Sequence, residues 1–147
     1  MNSSGPRVVL GCLIGLALAL LLVGIVSGTV LRHVIQTMPI VIAAGVLTQR
    51  PAWGAYAALP IFVFWIFITV MIWLFLLGLS RVASGHYTTI EVVSTCVMAA
   101  CSSIGAVRSI AVGRPLSIGS RVISFAAMAV VQVAAMWVSF LRLVANR

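Results

Sequence analysis

"AYAALPIFVFWIFITVMIWLFLLGL", residues 55 to 79, decides the fold class. These 25 residues carry no charge. As a helix they would rise about 38 Å, more than the ~30 Å hydrocarbon core of a bilayer. Phe62, Phe64, Trp65, Phe67, Trp73 and Phe75 make the segment bulky on every side. Contacts between membrane helices favour small residues, so this helix is expected to face lipid over much of its circumference.

The same character extends outward in both directions. Residues 8 to 31, "VVLGCLIGLALALLLVGIVSGTVL", form an apolar stretch long enough to span, about 36 Å as a helix. It reads as a retained first helix, not a cleaved leader. The Val-Leu-Gly-Cys run ending at Cys12 resembles a lipoprotein box, but too few apolar residues precede it for lipidation. Gly11 with Gly15 and Gly24 with Gly28 make two small-xxx-small pairs, the spacing that lets helix backbones approach closely in lipid.

"RHVIQTMPIVIAAGVLTQR", 32 to 50, is shorter in its apolar core. A short span over 34 to 49 is expected, with Pro39 early in it, and a re-entrant segment is the alternative. "RPAWG" then reads as a tight turn with an interfacial Trp53.

Residues 88 to 107, "TTIEVVSTCVMAACSSIGAV", carry the most information. At 100° per residue, Glu91, Ser94, Thr95, Met98, Ser102 and Gly105 share one face. Val92, Val93, Val97, Ala100, Ile104 and Val107 occupy the other. The polar face should meet protein or water and the valine face lipid. "RSIAVGRPLSIGSR", 108 to 121, reads as an interfacial loop. The last span, 118 to 141, has a stripe of Arg121, Phe125, Met128, Gln132 and Ser139. Gln132 falls near mid-membrane, where an amide needs a partner on another helix.

Composition excludes a water-soluble domain: 63% of residues are apolar, 7% are charged and the mean hydropathy is +1.28. The net charge of +8 comes from nine arginines against one acid. The arginines are spread along the chain at the ends of apolar runs, so they make helix flanks and no nucleic-acid patch. Cys12, Cys96 and Cys101 have neither disulfide nor zinc spacing and read as small buried residues. With no internal repeat and no linker, the expectation is a single all-α bundle. Its five transmembrane helices should lie near 8–31, 34–49, 55–79, 88–107 and 118–141, or else there are four plus a re-entrant segment. Five arginines would lie on one side and four on the other, which is hardly a positive-inside bias.

Glu91 is the sole acidic residue. "TTIE" is a capping box, in which Thr88 and Glu91 cap each other's amides. A carboxylate one turn inside a membrane boundary is also a candidate for moving a proton or cation. Arg81 and Arg142 should lie at the same membrane face as Glu91 and are its expected ion-pair partners. Arg32 and His33 join them only if 33 to 49 truly spans, and only then do His33 and His86 share a face. Thr95, Ser102 and Gln132 are candidates for polar helix contacts or a pathway.

No hydrolytic triad, paired carboxylate, H-E-x-x-H or phosphate loop occurs, so no catalysis, cofactor or metal is expected of this chain alone. The leading expectation is a small non-catalytic membrane subunit that packs against a larger membrane complex. The alternative is an oligomeric transporter or channel for an ion or lipid-like substrate. A third reading has Arg108, Arg114 and Arg121 guiding anionic lipids for a partner enzyme. The bilayer and other membrane proteins, or copies of itself, are the expected partners, and a bacterial inner (cytoplasmic) membrane the expected location.

Overall fold

A computed structural model of the protein describes residues 4–79, 87–141 and 144. Those residues are helical, with no strand among them, and form α1 (Ser4–Val26), α2 (Val30–Gln49), α3 (Pro51–Leu76), α4 (Thr89–Gly113) and α5 (Ile118–Ser139). All five are long and apolar enough to cross a membrane. The segment from Arg32 to Gln49 therefore lies in one continuous helix with no hairpin within it.

The helix ends follow from local chemistry. α1 stops at a Schellman motif: Gly28 takes φ +70°, its amide donates to Ile25 O at 3.3 Å, and the Thr29 amide donates to Gly24 O at 2.8 Å. Gly78, at φ +73°, ends α3 in the same way. α2 starts immediately afterwards at Val30, so Pro39 lies in its interior and not near its start. Arg50 alone joins α2 to α3, because Pro51 holds it extended and then sits at the first helical position. The expected turn at "RPAWG" is thus mostly the first turn of α3. Likewise, α4 continues to Gly113 and only Arg114 to Ser117 separate it from α5. Most of the stretch expected as a loop is helix on either side of Pro115.

Packing links the helices in a ring, α1 to α4 to α3 to α5 to α2 and back to α1, with α2 also meeting α3. The core inside it includes Leu13, Leu16, Ile40, Ala43, Ile61 and Phe62. α3 departs from expectation in its first part and keeps a large uncovered surface beyond it. Its first half buries Gly54, Ala55, Ala57, Ala58, Ile61, Phe62 and Trp65, and only its outer face shows Val63, Phe67 and Val70. Glycines on neighbouring helices receive its rings. A Cβ added to Gly105 would overlap Phe62, and one on Gly113 would overlap Tyr56. Gly54 in turn lies against the backbone of Leu47. On α4, the face anticipated from periodicity is the buried one: Glu91, Ser94, Thr95, Met98, Ser102 and Gly105 are all buried.

Gly105→Ala should lower stability by about 1–3 kcal/mol, the usual cost of overpacking. Unfolding in mixed detergent micelles reads this directly. The added change Phe62→Leu should restore at least half of the loss.

Candidate functional site

α1, α3 and α5 run toward one end of the bundle, while α2 and α4 start there. At that end the helices enclose a cavity of about 330 Å³. The turn between α1 and α2 contributes Ser27 and Thr29, and the first two turns of α2 contribute Arg32, His33 and Gln36. Tyr87, Glu91 and Thr95 come from α4 and its approach, Ile68 and Ile72 from α3, and Met136 from α5. Leu20, Trp65 and Met98 also line it. From Thr89 to Met98, α4 descends about 14 Å, roughly half the thickness of a bilayer core. Further along the helix, Phe62 sits against Gly105.

Glu91 is both a cap and part of the cavity wall. Its Oε2 accepts from the Thr88 amide at 2.7 Å and from Thr88 Oγ1 at 2.9 Å, while its own amide donates to Thr88 Oγ1 at 3.3 Å. That completes the capping box. Only 9% of Glu91 is exposed, so the carboxylate enters the cavity largely shielded by protein.

His33 stands opposite on α2. Its Nδ1 lies 3.0 Å from the Thr29 carbonyl oxygen and 3.1 Å from Thr29 Oγ1. A carbonyl can only accept, so Nδ1 carries the hydrogen and, in the neutral ring, Nε2 holds the basic lone pair. Gly24 makes room for this ring: a Cβ there would come within 2.8 Å of His33 Cβ. The guanidinium of Arg32 lies 4.1 Å above the Phe140 ring, and its Nε is buried without a hydrogen-bond partner among the described residues. Gln36 Nε2 donates to Ser139 Oγ at 3.0 Å and lies 3.3 Å from Met136 Sδ, tying α2 to α5. Tyr87 packs 6.0 Å from Phe75, centroid to centroid. Burial pushes its phenol above the ordinary tyrosine range, and the negative charge of Glu91 adds to the shift.

The remaining candidates scatter. Thr95 lines the cavity and donates to Val92 O at 2.7 Å. Ser102 and Gln132 are buried outside the cavity, and among the described residues neither Ser102 Oγ nor either amide atom of Gln132 has a partner. Arg81 and Arg142, the expected ion-pair partners, lie outside the described residues, as does His86. Gly15 is packed 2.8 Å from Cys101 Sγ, measured from an added Cβ, whereas Gly11 has open space and Gly28 ends its helix. Among the described residues, no group of three His, Cys, Asp or Glu is placed to hold a metal.

Sequence reasoning did not select Gln36 or Tyr87. The signal for Gln36 was its spacing, four residues beyond Arg32 and three beyond His33 on a helix. Compared with protein-family models, curated proteins and solved structures, the chain matches none.

Replacing Glu91 by Gln should bring the Tyr87 phenol pKa down while leaving it above the ordinary value, because burial remains. Carbon-13 NMR of the tyrosine ring carbons against pH checks this, with Tyr56 as the internal comparison.

Proposed function

We propose that the chain is an integral membrane protein of five spanning helices that acts as a small transporter or channel, with Glu91 and His33 holding and passing a proton or a small cation coupled to it. One observation carries the reading: the sole acid of the chain, a histidine with a basic nitrogen, an arginine and a glutamine converge on one cavity at the end of five helices long and apolar enough to cross a membrane. Ionisable groups inside a bilayer are costly and mark ion or proton paths by default. The mixed charge of the cavity supports proton transfer over tight cation binding, since Arg32 offsets Glu91. The Phe62–Gly105 contact closes the route below the cavity, so conduction requires α3 and α4 to separate there. An energised membrane such as a bacterial inner membrane would supply the driving gradient.

The accessory-subunit reading ranks second. Its motives were the small soluble mass, the lack of a catalytic set and the polar or small helix faces in need of a partner; of these, the polar face of α4 is covered by α1 and α3 of the same chain. In its favour stands α5, whose outer face exposes Val122, Val130, Val133 and Trp137. No reaction is proposed for the chain.

Liposomes loaded with a pH-sensitive dye and driven by a potassium diffusion potential test the first reading. The wild type should acidify the lumen faster than empty vesicles, and Glu91→Gln should slow it at least about tenfold. A glutamine still caps the helix, so this variant should keep its stability to within about 0.5 kcal/mol, whereas Thr88→Val loses the cap and about 1 kcal/mol. Wild-type flux equal to that of empty vesicles counts against transport. Native mass spectrometry from nanodiscs would then decide for the subunit, if the chain emerges bound to different proteins.

A further inference from the structure

The opposite end of the bundle differs in chemistry. Arg7, Arg50, Arg108, Arg114 and Arg121 all lie there. The chain has a single acid, Glu91. It is at the cavity end, about 26 Å along α4 from Arg108. No carboxylate side chain of this protein can neutralise the arginine end.

The five arginines are not equivalent. Arg121 is engaged within the protein: its Nε donates to Leu116 O at 2.9 Å, a terminal nitrogen donates to Arg114 O, and its guanidinium lies 5.6 Å from the Tyr56 ring centroid. Arg50 and Arg108 instead line a cleft of about 550 Å³ between the first turns of α1 and α3 and the last turns of α4, with Trp53 beside them. Neither guanidinium has a hydrogen-bond partner among the described residues. Ala52, Ala111 and Val112 make the rest of the wall largely apolar. The volume falls within the range of small-ligand sites.

We infer that this cleft is a binding site for the headgroup of an anionic phospholipid, with Arg50 and Arg108 holding the phosphate. A guanidinium presents forked N–H donors that match phosphate oxygens, and two of them facing one cleft offer more than a diffuse surface charge does. Trp53 suits the headgroup level, where tryptophan settles in bilayers. The apolar wall lets acyl chains continue down the outside of α4. The backbone amides of the opening helical turns add a smaller favourable field. Charge balance selects the lipid as the occupant: the cationic end lies where a bilayer displays its phosphates, and the chain has no anion of its own to place there. This site is separate from the Glu91 cavity and does not depend on the transport reading.

The test uses delipidated full-length protein in detergent. Palmitoyl-oleoyl phosphatidylglycerol and, separately, phosphatidylcholine are titrated in, and bound lipid is counted by native mass spectrometry. The wild type should take one phosphatidylglycerol at least about tenfold more tightly than phosphatidylcholine, a difference in line with two arginines near an anionic surface. The double variant R50Q/R108Q should bind the two lipids alike. R7Q/R114Q makes the same change in charge at the same end outside the cleft and should keep the preference. A111F fills the cleft with both guanidinium groups retained, and should lose it. The substituted side chains are all exposed, and gel filtration verifies each fold. The inference is overturned if the wild type shows no preference, if R7Q/R114Q loses as much as R50Q/R108Q, or if A111F binds like the wild type.

Discussion

The architecture depends on glycine at the places where α3 meets its neighbours. Without a hydrophobic driving force between helices in lipid, association comes from close van der Waals fit. Gly54 admits the backbone of Leu47, Gly105 admits Phe62, and Gly113 admits Tyr56. All three lie in the half of the bundle away from the cavity, and they draw α2, α3 and α4 tightly together there. At the other end the sites facing inward are occupied by Arg32, His33, Gln36, Trp65 and Glu91, which are too large for such an approach. The helices part, and the space between them becomes the cavity. One distribution of small and large residues thus sets both the closed half and the open half.

Near the cavity, hydroxyls are satisfied on carbonyls of their own helix: Ser94 on Ile90 at 2.8 Å, Thr95 on Val92 at 2.7 Å and Thr69 on Trp65 at 2.6 Å. Among the described residues, Ser102 Oγ, Ser109 Oγ and the amide of Gln132 have no partner, and neither do Arg32 Nε and Trp65 Nε1, whose side chains line the cavity. An unsatisfied buried polar group costs about 1–3 kcal/mol. The cost therefore falls on both halves of the bundle, and a rearrangement that supplied partners would recover it.

The all-helical class was legible in uncharged runs of membrane length, and the buried face of α4 in simple periodicity. Both are local properties of one segment. What stayed hidden was relational. Phe62 of α3 looked destined for lipid because its receptor, Gly105, is a glycine far along the chain. The second helix looked short because its first turn carries Arg32 and His33, charged and polar residues that sit on the cavity wall and not beyond the helix. Residues 108 to 113 looked like loop because three arginines, Gly113, Pro115 and Gly119 crowd into 108 to 121, yet Gly113 is buried beneath Tyr56 and the helix runs to meet it. The cavity needed α2 set against α4, which no single segment could reveal.

Glu91 completes the capping box of α4 and lines the cavity as well. The cap needs an acceptor oxygen for the Thr88 amide and hydroxyl, and the neutral amide of glutamine supplies one equally well. The cap therefore does not account for the charge. Holding a carboxylate nearly buried at the rim of an apolar bundle costs desolvation that an amide avoids. Part of that cost is offset by the positive end of the α4 dipole, and part by the positive charge of Arg32 in the same cavity. What the carboxylate adds, and an amide lacks, is a negative charge on the wall of the cavity that His33 also lines. Its Oε2 is held by two hydrogen bonds from Thr88, and the orientation of the second oxygen is thereby set.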